Sequence, residues 1–153
     1  MSPFALVREV REFFDGPIAL SGSISEGSSV LSALALGADF AYVGTKFIAT
    51  EEANASPGYK QMIIDSTADD IMYSATFTGV NGNYLRPSVE AAGLNPEEHT
   101  SGSKDDMNFS TSAIAKKDNS SKAWKDIWGS GQGIGTIKDC LLYTSDAADE
   151  TGR

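Results

Sequence analysis

Two short segments of this chain carry residue types that can bind a phosphate group through the backbone alone. Residues 17–24 and residues 40–47 each contain an apolar run that stops at a glycine, Gly22 or Gly44, beside small hydroxyl residues. Backbone N–H groups gathered at one rim of a sheet hold an anion without a cationic side chain. Taken singly, the glycines fit ordinary turns that need an unusual backbone angle equally well. The pairing of the two segments favours the phosphate site.

The surrounding pattern predicts which elements position the two turns. The order along the chain is a helix, a buried strand at residues 18–21, a helix at residues 25–37 and a second strand at residues 39–43. This order gives a parallel sheet with a right-handed crossover, so both turns lie at the same edge. Apolar residues at helical spacing predict the inner faces of the two helices. These are Leu6, Val7, Val10, Phe13 and Phe14 in the first, and Val30, Leu31, Leu34, Ala35 and Leu36 in the second.

The pattern changes after Gly44, where helices and loops are predicted in place of parallel strands. The predictions are a helix at 56–66, a short strand at 70–74, a turn-rich loop at 77–84, a short helix at 87–92, a polar surface segment at 93–119, a helix at 121–128 and a glycine-rich turn at 129–135. An isolated pair of parallel strands leaves sheet edges that should pair with further strands. The two strands are therefore predicted to be the end of a larger sheet.

Composition excludes several classes of function. The chain of 153 residues has 41% hydrophobic and 22% charged residues, which is ordinary for a globular domain. A formal net charge of −9 argues against binding to nucleic acid or to an anionic membrane. One cysteine and one histidine allow neither an internal disulfide nor a Cys/His zinc site, so no metal is predicted. The absence of a signal-peptide pattern at the N-terminus favours the cytoplasm.

Six segments, in this order and at these spacings, resemble the C-terminal part of nitronate monooxygenases, formerly called 2-nitropropane dioxygenases. They are residues 22–24, 33–39, 44–52, 59–61, 77–79 and 128–135. The resemblance implies an α/β fold that is the C-terminal portion of a (β/α)₈ TIM barrel, with its last two strands and their helices plus a mostly helical insertion, so the barrel is incomplete. It also implies FMN as the cofactor, an alkyl nitronate and O₂ as substrates, and a carbonyl compound and nitrite as products.

The resemblance also assigns roles to residues of the two turns. The N–H groups of Gly22, Ser23, Gly44 and Thr45 are expected to donate to the FMN phosphate, and Tyr42 and Val43 are expected beside the flavin. The family usually has a second glycine where this chain has Ser23. Its catalytic histidine lies in an earlier motif that is not found here, and nothing around His99 matches that motif, so no catalytic residue is assigned.

The resemblance divides the chain into three parts. Residues 1–52 are the barrel part that binds FMN, and residues 53–139 are a mostly helical excursion that returns toward the barrel. Residues 140–153 resemble the in-frame translation of a sequencing adapter, so they are predicted to be a non-native tail. We expect this fragment to have little or no activity by itself.

Two other functions fit the same sequence. One is a fragment of a related FMN barrel enzyme, such as a flavin-dependent enoyl reductase, and the other is an inactive phosphate-binding fragment. Tyr73, Phe77 and Tyr84 are candidates to line a substrate entrance. Glu51 and Glu52 are predicted to be surface charges on a helix, because adjacent helical residues point in different directions. The oligomeric state cannot be read from the sequence.

Overall fold

The computed structural model describes residues 2–99 and 126–140. The chain divides into two compact units, of which the first contains residues 1–64 and 133–153 and the second contains Asp65–Gln132. The helices are α1 (Pro3–Arg11), α2 (Gly27–Ala35), α3 (Thr45–Ile48), α4 (Pro57–Asp65) and α5 (Arg86–Ala91). The strands are β1 (Ala19–Ser21), β2 (Phe40–Tyr42), β3 (Ile71–Ser74) and β4 (Gly82–Leu85). Short 3₁₀ turns lie at Ala68–Asp70, Pro96–His99 and Gln132–Thr136.

Strands β1 and β2 form the parallel pair that the sequence predicted. Their register places Ala19 opposite Phe40 and Ser21 opposite Tyr42. The core beneath them consists of buried apolar residues and partly buried neighbours. The buried members are Val7, Leu20, Ile24, Ala33 and Ala38, and the others are Ile18, Val30, Leu36, Ala41 and Val43. Helix α2 and the two strands therefore form one βαβ unit of the expected kind.

The predicted inner faces of the first two helices are only partly correct. In α1 only Val7 is buried, while Phe13, beyond the end of the helix, is 80% exposed. In α2 the buried residue is Ala33, whereas Leu31 is 69% exposed and Leu34 is 47% exposed. The described residues supply only two strands of three residues each at this place, so no element of the described part covers the outer members of each stripe. Leu6, Phe14 and Ala35 are exposed for the same reason.

Arg11 forms hydrogen bonds to several segments near the start of both strands. Its guanidinium donates to the carbonyl oxygens of Gly16 at 2.6 Å and Gly37 at 2.8 Å, and to the Asp39 carboxylate at 2.6 Å. That carboxylate also accepts a hydrogen bond from the Ile18 N–H at 2.8 Å. The Ile18 bond, followed by the bond from Arg11, holds the pKa of Asp39 below its ordinary value of 3.8. This network fixes the strand ends opposite to the two turns.

The second unit contains an antiparallel hairpin instead of the loop predicted at 77–84. Strand β3 pairs with β4 so that Met72 lies opposite Tyr84 and Ser74 lies opposite Gly82. The prediction of a loop was wrong for residues 82–84, because pairing with β3 outweighs the low strand propensity of glycine and asparagine. The predicted strand at 70–74 is confirmed as β3, and the helices at 56–66 and 87–92 are confirmed as α4 and α5.

The core of the second unit is built from Met72, Phe77, Val89 and Ile127. Phe77 and Tyr84 meet edge to face with ring centroids 4.9 Å apart. Among the described residues, no helix is long and apolar enough to cross a membrane. Most of the predicted polar segment at 93–119, most of the helix at 121–128 and nearly all of the predicted tail lie outside the described residues.

Candidate phosphate-binding site

The two glycine-containing turns lie at the same edge of the β1–β2 pair. Because the strands are parallel and Ser21 is paired with Tyr42, each chain leaves the sheet at neighbouring positions. The residues that follow are Gly22 and Ser23 after β1, and Val43 and Gly44 after β2. Carboxyl ends of adjacent parallel strands are where α/β proteins bind their ligands. The arrangement on which the predicted phosphate site depends is therefore present.

The turn after β1 contains two consecutive residues with left-handed backbone conformation. Gly22 has φ +100° and Ser23 has φ +57°. Glycine adopts this region freely, whereas a serine there costs roughly 1–2 kcal/mol. The glycine that the resemblance predicts at the position of Ser23 would adopt this conformation without strain. Backbone turns are among the geometries in which successive N–H groups form an anion-binding concavity.

The amide groups of the two turns are available to a ligand. Within the described part of the chain, the N–H groups of Ser23 and Gly44 donate to no acceptor. A Cβ atom added to Gly22 or to Gly44 would meet no atom within 4 Å. Amides that lack acceptors beside open space can bind the oxygens of an anion. These features fit a phosphate monoester, and they do not require a positive side chain.

The other predicted site residues take different places around the turns. Tyr42 is the last residue of β2 and is 66% exposed. The side chain of Val43 packs against the core of the first unit, so this residue can meet a ligand chiefly through its backbone. Thr45 is the first residue of α3, directly after Gly44. The structure therefore brings all six predicted residues to one edge of the sheet.

A third segment, which the family resemblance places near the active site with Gln132 as a candidate contact, lies against the turn after β1. The 3₁₀ turn Gln132–Thr136 lies against residues 23–25. The Ser25 hydroxyl is 2.8 Å from the Gly133 carbonyl oxygen and 2.7 Å from the Thr136 hydroxyl. The glycine-rich sequence predicted a turn here, but nothing in the local pattern pointed to Ser25 as its partner.

Several other candidates do not form a site. Phe77 is only 4% exposed and belongs to the core of the second unit, so its prediction as an entrance residue was wrong. Tyr73 is 60% exposed on β3, and the Tyr84 hydroxyl is hydrogen-bonded to Thr78 at 3.0 Å. Glu51 and Glu52 are exposed, as predicted, but they follow α3 and do not lie within a helix.

Comparison with known proteins assigns the chain to a family. The sequence model of the family described as nitronate monooxygenase matches residues 1–141. The chain therefore belongs to the nitronate monooxygenase family, as its resemblance predicted.

Individual relatives agree with this assignment. The chain is 30% identical over 96 residues to a nitronate monooxygenase of Paraburkholderia phytofirmans, which covers 63% of this chain and 26% of that protein. It is 26% identical over 98 residues to a probable nitronate monooxygenase of Staphylococcus aureus, which covers 61% of this chain and 28% of that protein. The chain thus spans about a quarter of the length of these curated relatives.

Solved structures show the same fold. FabK from Thermotoga maritima matches with a TM-score of 0.66 at 22% identity, over 97% of this chain and 47% of that one. A nitroalkane oxidase from Streptomyces ansochromogenes matches with a TM-score of 0.67 at 24% identity, over 97% of this chain and 42% of that one. These neighbours are TIM-barrel proteins, and the chain has the α/β fold of a part of them.

Proposed function

We propose that this chain is the C-terminal part of an FMN-dependent nitronate monooxygenase and that its two turns hold the phosphate of the cofactor. The observation that carries the proposal is the pair of neighbouring turns whose amides at Ser23 and Gly44 have no acceptor among the described residues. Membership of the nitronate monooxygenase family supports the choice of reaction.

The proposed fold is an incomplete (β/α)₈ barrel in which β1 and β2 are the last two strands. Both outer edges of the β1–β2 pair lack a partner strand among the described residues. Exposed aromatic side chains on β2, Phe40 and Tyr42, are 61% and 66% exposed. Further strands of a barrel would pair with these edges and cover such side chains. The short coverage of the relatives supports the same proposal.

In the proposed mechanism, this chain positions the cofactor and supplies no catalytic base. The N–H groups of Gly22, Ser23, Gly44 and Thr45 donate to phosphate oxygens, and Tyr42 and Val43 lie beside the flavin. FMN, when bound, supplies the redox chemistry that takes electrons from an alkyl nitronate and passes them to O₂, with a carbonyl compound and nitrite as products. The turns contribute by fixing the cofactor at one end of the sheet.

The proposal is tested on the complete protein encoded by the reading frame that contains this sequence. We expect FMN to remain bound through purification and O₂ to be consumed with an alkyl nitronate, with nitrite as a product. The chain alone is expected to show little turnover. A complete protein that binds FMN but reduces an enoyl thioester and leaves nitronates unchanged would favour an enoyl reductase instead. Absence of bound flavin would leave only a phosphate-binding or structural role.

A further inference from the structure

A cluster of three oxygen atoms joins the turn after β1 to the 3₁₀ turn Gln132–Thr136. Its members are the Ser25 hydroxyl, the Gly133 carbonyl oxygen and the Thr136 hydroxyl, and we call these three residues the turn clasp. The two hydroxyls are 2.7 Å apart, and they lie 2.8 Å and 3.1 Å from the Gly133 carbonyl oxygen. Ser25 is only 5% exposed, so water does not readily replace the hydrogen bonds of its hydroxyl, whereas Thr136 is exposed.

The proton count makes the two hydroxyls interdependent. Each hydroxyl has one proton to donate. Either Ser25 donates to Gly133 and Thr136 donates to Ser25, or Thr136 donates to Gly133 and Ser25 donates to Thr136. In both arrangements each proton is used and the Gly133 carbonyl accepts one hydrogen bond. Removing one hydroxyl leaves the other able to reach the carbonyl, whereas removing both leaves that carbonyl without either donor.

Gly133 brings the clasp into direct contact with the backbone of the candidate site. A Cβ atom at this position would lie 2.9 Å from the carbonyl carbon and oxygen of Ser23 and 2.9 Å from the Ser25 hydroxyl oxygen. Only glycine allows this approach, because the neighbouring atoms are mainly backbone and cannot rotate away. Gly133 therefore lies directly against the backbone of Ser23, the residue that has φ +57°.

We propose that the turn clasp positions the Gly22–Ser23 turn for the phosphate monoester. A serine in the left-handed region is held only when its surroundings determine the backbone. The clasp fixes Ser25 and brings Gly133 against the backbone of Ser23, while the Ser29 hydroxyl accepts hydrogen bonds from the N–H groups of Ser25 and Glu26. Ser25, Gly133 and Thr136 are thus positioning residues that keep the amides of the turn aimed at the anion. This inference rests on the proposed function.

The test compares FMN with riboflavin, which differs only in lacking the phosphate. Affinities of both ligands are measured by quenching of flavin fluorescence in the complete protein. The variants are Ser25→Ala, Thr136→Val, the double variant, and Gly133→Ala. The matched controls are Ser32→Ala, which also removes a 2.8 Å hydroxyl-to-carbonyl hydrogen bond, and Gly27→Ala, whose added Cβ meets no atom within 4 Å.

We expect each hydroxyl variant to weaken FMN binding about 3- to 10-fold. Gly133→Ala is expected to weaken it about 10-fold or more, because the backbone of Ser23 must shift. The double variant should lose more than the product of the single losses. Riboflavin affinity should stay unchanged throughout, and both controls should bind FMN as the wild type does.

Two results would overturn the inference while leaving the phosphate site intact. One is a double variant that binds both FMN and riboflavin as the wild type does, which also decides the matter if Gly133→Ala does not fold. The other is an equal loss of affinity for both ligands, which would indicate general destabilisation. A wild-type protein that binds FMN no better than riboflavin would overturn the proposed phosphate site and this inference with it.

Discussion

Ser21 and Tyr42 stand opposite each other as the last residues of two parallel strands. This pairing sets the distance between the two turns, since each chain leaves the sheet one residue further on. If either strand were reversed, its turn would lie at the other end of the sheet. The amides of Gly22, Ser23 and Gly44 lie at a common edge because the intervening helix α2 carries the chain back to the start of the sheet.

The left-handed conformation of Gly22 gives the first prediction. We expect Gly22→Ala to lower the free energy of unfolding by about 1–2 kcal/mol, because an alanine Cβ is strained at φ +100°. It should also weaken FMN binding by about 10-fold or more, since a turn that relaxes moves its amides. Chemical denaturation and flavin titration measure the two effects.

Gly37→Ala is the control for this prediction. Gly37 has φ +102°, and its added Cβ also meets no atom within 4 Å, but it follows α2 at the other end of the sheet. The stability loss should be similar and the FMN affinity should be that of the wild type. Equal FMN losses in both variants would mean that the affinity merely follows stability.

Replacing Ser23 by the glycine that the resemblance predicts there gives the second prediction. Ser23→Gly should stabilise the protein by about 0.5 kcal/mol, because relief of the left-handed strain slightly exceeds the entropy gained by the unfolded chain. FMN affinity should be retained, since the N–H group remains. Ser32→Gly, in the middle of α2, should instead destabilise by about 0.5 kcal/mol. Urea denaturation of both variants checks the opposite signs, and two destabilised variants would refute the prediction.

The carboxylate of Asp39 gives a pH prediction. Its hydrogen bond from Ile18 and its contact with Arg11 lower its pKa in the folded state. A lowered folded pKa means that its stabilising effect is present above the unfolded pKa and is lost as the pH falls through the folded value. The difference in the free energy of unfolding between the wild type and Asp39→Asn should therefore be largest above about pH 4. It should shrink as the pH falls below that value. A difference that does not change between pH 7 and pH 3 would contradict this assignment.

Ser88 gives a prediction for the second unit. The residue is 1% exposed. Its hydroxyl donates to the Leu85 carbonyl at 2.7 Å and accepts from the Trp128 N–H at 2.9 Å. Ser88→Ala leaves two polar backbone groups without this partner, so it should cost about 1–3 kcal/mol in thermal or chemical unfolding. Ser32→Ala, which removes an exposed hydroxyl, should cost less than about 0.5 kcal/mol. Similar losses in the two variants would show that the Ser88 bonds contribute little.

The βαβ unit was predictable because its signals are local. Glycine at position 37 ends α2 with a positive φ, and short apolar runs bounded by breakers predicted both strands. The inner face of α2 was less predictable, since burial of Leu31 depends on how wide the opposing sheet is. Helical spacing fixes which residues share a face, but it does not fix how much of that face is covered.

The features that the sequence did not predict depend on contacts between distant parts of the chain. Strand β4 contains Gly82 and Asn83, which favour turns, and it forms because β3 offers a partner. The bond from Ser25 to Gly133 joins residues 108 positions apart. The six predicted site residues could be named from two local motifs and a family resemblance, whereas the clasp required a structure.

The central claim is tested most directly by a crystal structure of the complete protein with FMN. The measured quantities are the distances from the phosphate oxygens to the backbone nitrogens of Ser23 and Gly44. The account predicts hydrogen bonds from both turns, each at about 2.7–3.2 Å. A phosphate group held elsewhere, or held by one turn alone, would contradict it.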